Sequence, residues 1–267
     1  MNFRKTTIVA LMAFGLTACA DKGVIPGSAG LPGTGASPST ENKLAAALDV
    51  LKAATVSDDE LKAVSLQLRA AEDKELKPAP ANNKYAQRLA RLTKRHTNED
   101  GLDLNFKVYL DPAINANATP DGSVRVYSGL MDKMNDAELL GVIGHEIGHV
   151  KLGHAAARLR SSYMASAGRK AAASSGGAGG ALAASELGGL GEAVFKAQFS
   201  QSQESDADDY GLAFMKKHKY NPKAMESAFR KLAALSKGKT GALDQMFATH
   251  PDSAARADRM RGKIAGN

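Results

Sequence analysis

Leu139 to His154 reads LLGVIGHEIGHVKLGH, and the rest of the chain is read outward from it. His145, Glu146 and His149 stand in the order H-E-x-x-H within a segment whose residues otherwise read as a helix. On an α-helix positions i and i+4 share a face, so the two imidazoles converge on one point about a turn apart. That point suits a zinc ion, and Glu146 projects from nearly the same side, within reach of a proton on a metal-bound water. The chain has only 6 His in 267 residues, so composition alone would produce this pattern with a chance on the order of one per cent. The arrangement is that of a metal-dependent hydrolase; a buried helix that happens to carry two histidines is the weaker account.

The helix has a start signal and an internal peculiarity. Asn135 with Glu138 three residues on fits an N-cap and its capping box. Gly141, Gly144 and Gly148 lie inside the helix, where glycine costs propensity. Something must be gained from the missing side chains, and close approach of a neighbouring helix would explain them.

Two histidines do not complete a catalytic zinc site, which takes three protein ligands and leaves one position open for water. His154 is not the third. The pattern H-E-x-x-H-x-x-G-x-x-H would need glycine at Leu152 and histidine at Ala155, and His154 lies off the ligand face, which suits a solvent-exposed or capping role. Glu204 is the better candidate, in the helical run Ser200-Gln201-Ser202-Gln203-Glu204-Ser205-Asp206-Ala207-Asp208. Asp208, four residues along the same face, can accept a hydrogen bond from the free ring nitrogen of a ligating histidine. Ala207 and Gly211 are small enough to let this helix press on the glycine-bearing one. Without the H-E-x-x-H upstream, the same run would read as an acidic, solvated helix face.

Composition bounds the setting. At 267 residues one catalytic domain with an extended N-terminus is the simplest organisation, and no repeats are evident. Tryptophan is absent and aromatics are 5%, which with abundant Ala, Leu and Gly favours packed helices over a β-sandwich. The net charge is +7, but the basic residues are scattered and no nucleic-acid motif accompanies them, so a solvated basic surface is expected and nucleic acid is not a partner.

The chain opens with the layout of a secretory signal over residues 1–18: Arg4 and Lys5, an apolar run from Ile8 to Leu16, then small residues. The run is short for a membrane span. It ends Leu16-Thr17-Ala18-Cys19, which resembles a bacterial lipobox, and Cys19 is the single cysteine of the protein. With no disulfide partner it needs another reason to be there, and lipidation supplies one. Ala20 rather than Asp follows it, which in a Gram-negative host directs a lipoprotein to the outer membrane, facing the periplasm. Residues 19–42, rich in Gly, Pro, Ser and Thr, are expected to be a flexible tether, and 43–267 the catalytic domain.

Within that domain Leu44, Leu48 and Leu51 mark a short helix. Ser57 with Glu60 opens a second, carrying Leu61, Val64 and Leu68, and Tyr85, Leu89 and Leu92 mark a third after Pro78 and Pro80. Strands are predicted around Leu104–Leu110 and Ser123–Tyr127, separated by Ile114–Ala118 and a Pro120-Asp121-Gly122 turn. The edge of this small sheet could pair with an extended peptide, or the sheet could only support the core. Ser174–Gly191, rich in Gly, Ala and Ser, reads as a mobile loop, either a lid or an inert linker. Helices follow at about Glu192–His218, Lys223–Ser236 and Asp252–Lys263, with His250-Pro251 in a loop before the last. The expected fold class is α+β, mainly helical with a small sheet.

H-E-x-x-H, the later Glu204-Ser205-Asp206-Ala207-Asp208 on a helix, and His250-Pro251-Asp252-Ser253-Ala254-Ala255-Arg256 together resemble the zincin-like gluzincin peptidases that include HtpX and the CAAX prenyl proteases. The match runs from about Asn82 to Met260. With the lipobox added, the chain resembles most the LoiP type within them, small periplasmic metalloprotease lipoproteins. The resemblance implies one Zn2+ per chain held by His145, His149 and Glu204, with Glu146 as catalytic base and Asp208 supporting a ligand. It implies that His250 and Arg256 reach the substrate carbonyl or its oxyanion, where a neutral donor and a fixed cation stabilise developing charge, and that Asn115 and Ala116 bind substrate. Gln201 departs from the Arg that many relatives carry there, so no contact is carried over to it. The substrates implied are misfolded or misassembled envelope proteins. Two alternatives stay open: a zinc hydrolase of cell-wall peptides, and a chaperone or adaptor lipoprotein whose partners are outer-membrane assembly intermediates.

Overall fold

The structure is a computed structural model and describes residues 55–174, 186–236 and 244–266. The expected signal segment, Cys19, the tether and the helix around Leu44–Leu51 lie outside the described residues, as do residues 175–185 of the Gly/Ala/Ser-rich stretch.

The H-E-x-x-H helix, α4 (Asp136–Lys151), is the centre of the molecule: every residue from Glu138 to His149 is buried. It starts where the sequence places it, with Asn135 and Glu138 capping each other's backbone N–H groups at 2.9 and 2.8 Å. Five helices precede or follow it around the core: α1 (Asp58–Leu76), α2 (Lys84–Thr93), α7 (Gln201–Lys217), α8 (Lys223–Ser236) and α10 (Ser253–Ala265). Shorter or more peripheral are α3 (Ser128–Lys133), α5 (His154–Ser174), α6 (Glu186–Lys196) and α9 (Asp244–Thr249). Among the described residues no helix is long and apolar enough to cross a membrane.

The closest packing is between α4 and α7. A Cβ on Gly144 would lie 2.7 Å from Phe214 and 3.4 Å from the Cα of Gly211, and one on Gly148 would meet the carbonyl oxygen of Ala207 at 3.1 Å. Gly211 in turn lies against the backbone of His145, 3.1 Å from its nitrogen by the same measure. The glycines of the two helices therefore face one another, as their positions in the sequence imply, and this brings Glu204 and Asp208 alongside the two histidines.

The strands form a hairpin, β1 (Asn98–Glu99) with β2 (Leu102–Asp103), and a three-stranded sheet of β3 (Asn105–Tyr109), β4 (Ala116–Ala118) and β5 (Ser123–Tyr127). The order is β3-β5-β4, with β5 parallel to β3 and antiparallel to β4; Val108 pairs with Val126 and Ala118 with Val124. Val108, Val124, Val126, Ala116 and Ala118 join Ile143 and Ile147 in one hydrophobic core. On α1, Asp73 accepts hydrogen bonds from Tyr109, Lys107 and Arg125, which ties the helix to the sheet. Leu61 and Leu68 of α1 form a second, smaller core with Leu159 of α5 and with Leu190 and Val194 of α6.

Three expectations need correction. Ala116–Ala118 is itself a strand, too short at three residues to show alternation. Glu186–Gly191 is the first half of α6 rather than loop, its apolar face closing on α1 through Leu190, and Gly191 lies 3.5 Å from Leu68 by the Cβ measure. The single helix expected over Glu192–His218 is two, because Ser200 and Gln203 form a reciprocal capping box that starts α7 afresh.

Candidate metal centre

Ligand atoms of His145, His149, Glu204 and His250 all lie within 4.8 Å of one another, and all four residues are buried. Nε2 of His149 is 3.0 Å from Nε2 of His145 and 3.3 Å from a Glu204 oxygen, and Nε2 of His145 is 3.7 Å from the other Glu204 oxygen. A tetrahedral zinc with bonds of about 2.0–2.1 Å has ligand–ligand edges of roughly 3.3 Å, so this triangle has the size the ion requires.

The charge arrangement makes the same demand. Nδ1 of His145 faces Oδ1 of Asp208 at 2.9 Å, so that nitrogen carries the ring proton and Nε2 presents a lone pair. Burial pushes His149 well below the usual histidine value, which keeps its ring neutral and able to ligate. Burial pushes Glu204 upward, but the imidazoles of His250, His145 and His149 outweigh it and hold the carboxyl well below the usual carboxylate range. Two imidazole lone pairs and a carboxylate thus converge on one point, where a cation answers all three. The residues fit a divalent metal.

Glu146 is 1% exposed, and its Oε1 is buried without a hydrogen-bond partner. It faces Nε2 of His250 at 3.6 Å. His250 comes from the loop after α9, and its Nδ1 lies 2.9 Å from Glu204 and 3.3 Å from Nε2 of His145. The loop histidine therefore turns into the ligand cluster and stands as a fourth group on the same point.

Arg256, expected to reach a substrate oxygen, lies among the acids of the site. Its Nη2 and Nε bind the two oxygens of Asp208 at 2.5 and 2.9 Å, and Nη1 lies 2.5 Å from Glu204. The guanidinium carbon is 4.3 Å over the Phe229 ring. Two carboxylates and an aromatic face claim the cation, so it fixes the acids that support the histidines. Burial pushes Asp208 up, but Arg256 and His145 together hold it down as an anion.

His154 also departs from its expected solvent-exposed or capping role. It is 9% exposed, and its Nδ1 lies 3.2 Å from Nδ1 of His149. The chain turns after α4 at Gly153, with φ +73°, and this brings the first residue of α5 back under the ligand. Phe199 lies at the site although nothing in the sequence singled it out: its ring stacks on His149 at 3.7 Å and 14°. The helix break at Ser200 is what frees it to do so, and the capping signal Ser200-x-x-Gln203 could have located that break.

Asn115 and Ala116 are 2% and 1% exposed, and Oδ1 of Asn115 has no hydrogen-bond partner. Asn115 immediately precedes β4, which lies at one side of the sheet and, among the described residues, pairs with β5 alone. Gln201 donates to Asp252 at 3.0 Å, joining the start of α7 to the start of α10. A second His/Glu group, His96, Glu99 and His218, lies at the far end of α7. There Glu99 is already engaged by His96, by His218 and by Nζ of Lys217 at 2.5 Å.

Comparison with known proteins agrees with this geometry. The family model described as Peptidase family M48 matches residues 80–264. The chain is 40% identical to Metalloprotease YcaL of Escherichia coli (strain K12) over 227 residues, covering 85% of this chain and 88% of that protein. It is also 40% identical to Metalloprotease LoiP of the same organism over 225 residues, 84% and 88% of the two chains. A Protease HtpX homolog of Desulfatibacillum aliphaticivorans is 30% identical over 232 residues, 71% of each. The helix that carries H-E-x-x-H, the acidic helix packed against it and the match over most of the length lead to one conclusion: the chain belongs to peptidase family M48 and is a metalloprotease.

Proposed function

We propose that this metalloprotease is a zinc endopeptidase in which His145, His149 and Glu204 hold the ion and Glu146 is the general base. The ion supplies Lewis acidity toward water and toward the peptide carbonyl. Glu146 takes the proton from the attacking water and delivers it to the leaving amide nitrogen. Asp208 and His154 orient the imidazoles of His145 and His149 from behind, and Arg256 holds Asp208 and Glu204 in register. His250, beside Glu146 and the ligand cluster, is the side chain placed to donate to the carbonyl oxygen as negative charge develops on it. An extended substrate pairs along the side of β4 away from β5, past Asn115 and Ala116. The observation that carries this reading is a buried carboxylate, Glu146, whose Oε1 is left without a hydrogen bond beside a triangle of two histidines and a glutamate of tetrahedral size.

The lipobox-like Leu16–Cys19 supports a further part of the proposal: Cys19 is lipidated and anchors the enzyme to the outer membrane, on the periplasmic side. There its substrates are misfolded or misassembled envelope proteins. Replacing Cys19 by Ser should move the protein from the membrane to the soluble fraction, and retention in the membrane would remove the anchor.

The test of the chemistry is bound metal and cleavage of an unfolded protein, measured on the full chain for wild type and Glu146→Gln. Both should hold about one zinc per chain, and only the wild type should cleave. Cleavage surviving in Glu146→Gln would overturn the assignment of the base. Wild-type protein that cuts cell-wall peptides and leaves unfolded protein intact would overturn the substrate class.

A further inference from the structure

Arg158, on α5, is a buried cation that the proposed chemistry leaves unused. It is 8% exposed, and its Nε is buried without a hydrogen-bond partner. The other buried arginines are answered: Arg69 by Glu72 and Asn117, Arg125 by Asp73, Arg256 by Glu204 and Asp208. Among the described residues Arg158 makes no hydrogen bond and no ion pair. Burial pulls it down to about 10, with the more distant carboxylates of Glu146 and Glu204 acting against the fall, so it is a cation at neutral pH. Burying a cation answered only by an aromatic face is expensive, and a site that retains one is arranged for an anion that arrives later.

Its position shows where that anion would sit. The guanidinium carbon lies 4.2 Å over the ring of Phe199, whose ring stacks on His149 at 3.7 Å. Two groups cannot share one face of a ring at those distances, so His149 and Arg158 lie on opposite faces of Phe199. Arg158 also lines an open cleft of about 290 Å³ with four alanines and with Ser161, Ser162, Gln198 and Gln203, the last of these next to Glu204 in the chain. The cleft thus offers a guanidinium fork, hydroxyls and amides, next to the metal centre. Because the Phe199 ring stands between, the cation cannot reach the carbonyl under attack.

We propose that Arg158 is a substrate-recognition residue that binds a carboxylate of the peptide in this cleft. That carboxylate therefore lies along the chain from the bond that is cut rather than at it, with the Phe199 ring between. Planar, bidentate pairing with a carboxylate is what the guanidinium fork does best. The carboxylate is either an acidic side chain or the free C-terminus of the substrate. The inference rests on the reading of the chain as a peptidase, and its test does not depend on cleavage.

The measurement is fluorescence anisotropy on metal-loaded, full-length Glu146→Gln, using labelled octapeptides. A single Glu is moved through an otherwise uncharged sequence against Gln controls, each peptide with a free or an amidated C-terminus. One carboxylate should strengthen binding about ten-fold or more, and Arg158→Gln should abolish that gain while changing the uncharged, amidated peptide by less than about two-fold. A gain that follows one Glu position assigns an acidic side chain; a gain that follows the free terminus assigns the chain end. Arg158→Lys keeps the charge without the fork and should retain part of the gain, which covers the case in which the Gln variant folds poorly. The proposal is overturned if no carboxylate strengthens binding, or if Arg158→Gln weakens every peptide alike. Binding is read on a protein that does not cut, so this failure and a failure of wild-type cleavage are separate results.

Discussion

Oδ1 of Asp208 lies 2.9 Å from Nδ1 of His145 and accepts that ring's proton, while both Asp208 oxygens also receive Arg256. The proton fixes the tautomer of His145, and the negative charge behind it makes Nε2 a better ligand. Asp208→Asn keeps the shape and removes the charge. It should weaken zinc binding by roughly 10- to 100-fold, read by competition with a chromophoric chelator. Unchanged affinity would mean that the carboxylate acts on Arg256 alone.

His154 stands behind His149 in the same way, but as a ring nitrogen 3.2 Å from Nδ1 rather than as an anion. Burial pushes His154 below the usual histidine value, so the pair is neutral with neutral. His154→Ala should therefore cost zinc affinity less than Asp208→Asn does, by up to about ten-fold. A loss larger than that of Asp208→Asn would identify His154 as a stronger support than a neutral hydrogen bond can be.

The contrast between these two residues shows what was legible in the sequence. H-E-x-x-H is local, and helix geometry alone converts its spacing into a shared face. Glu204 and Asp208 are also four apart on one helix, and the glycines at 141, 144 and 148 announced that another helix presses there. His154 and Phe199 reach the site through a turn at Gly153 and a helix break at Ser200. Their side-chain directions depend on how the chain leaves a helix, which periodicity does not encode. Arg256 was found by its motif, but its contacts to Asp208, Glu204 and the face of Phe229 depend on how α10 packs against α7 and α8, which the motif does not encode.

The α4–α7 contact carries a stability and affinity prediction together. A Cβ at Gly211 would sit 2.8 Å from the end of Met225, which can move, and 3.1 Å from the nitrogen of His145, which cannot. Gly211→Ala should cost about 1–3 kcal/mol in denaturant unfolding and also weaken zinc binding, because the shift separates Glu204 from the histidines. Gly262, in α10, has nothing within 4 Å of its Cβ position. Gly262→Ala should stabilise by roughly 0.5–1 kcal/mol and leave zinc affinity unchanged. Equal effects at the two sites would contradict the helix–helix contact described here.

Away from the metal, Asp73 supplies a pH signature of the fold. Burial pushes its carboxyl up, but Arg125, Tyr109 and Lys107 outweigh this and hold it far below the usual aspartate value. Arg125, 1% exposed, would lose its carboxylate in Asp73→Asn. At pH 7 that substitution should cost on the order of 2–3 kcal/mol, somewhat less than a fully buried pair because Asp73 is partly exposed. A depressed folded-state value contributes stability that is fully present above the unfolded value of about 4 and is lost as pH falls through the folded value. The difference between wild type and Asp73→Asn should therefore stay level from pH 7 to about 4, then shrink by at most ~1.4 kcal/mol per pH unit. Denaturant melts of both proteins across that range measure it. A gap that closes between pH 7 and 5 would mean that Asp73 is not the anion holding α1 to the sheet.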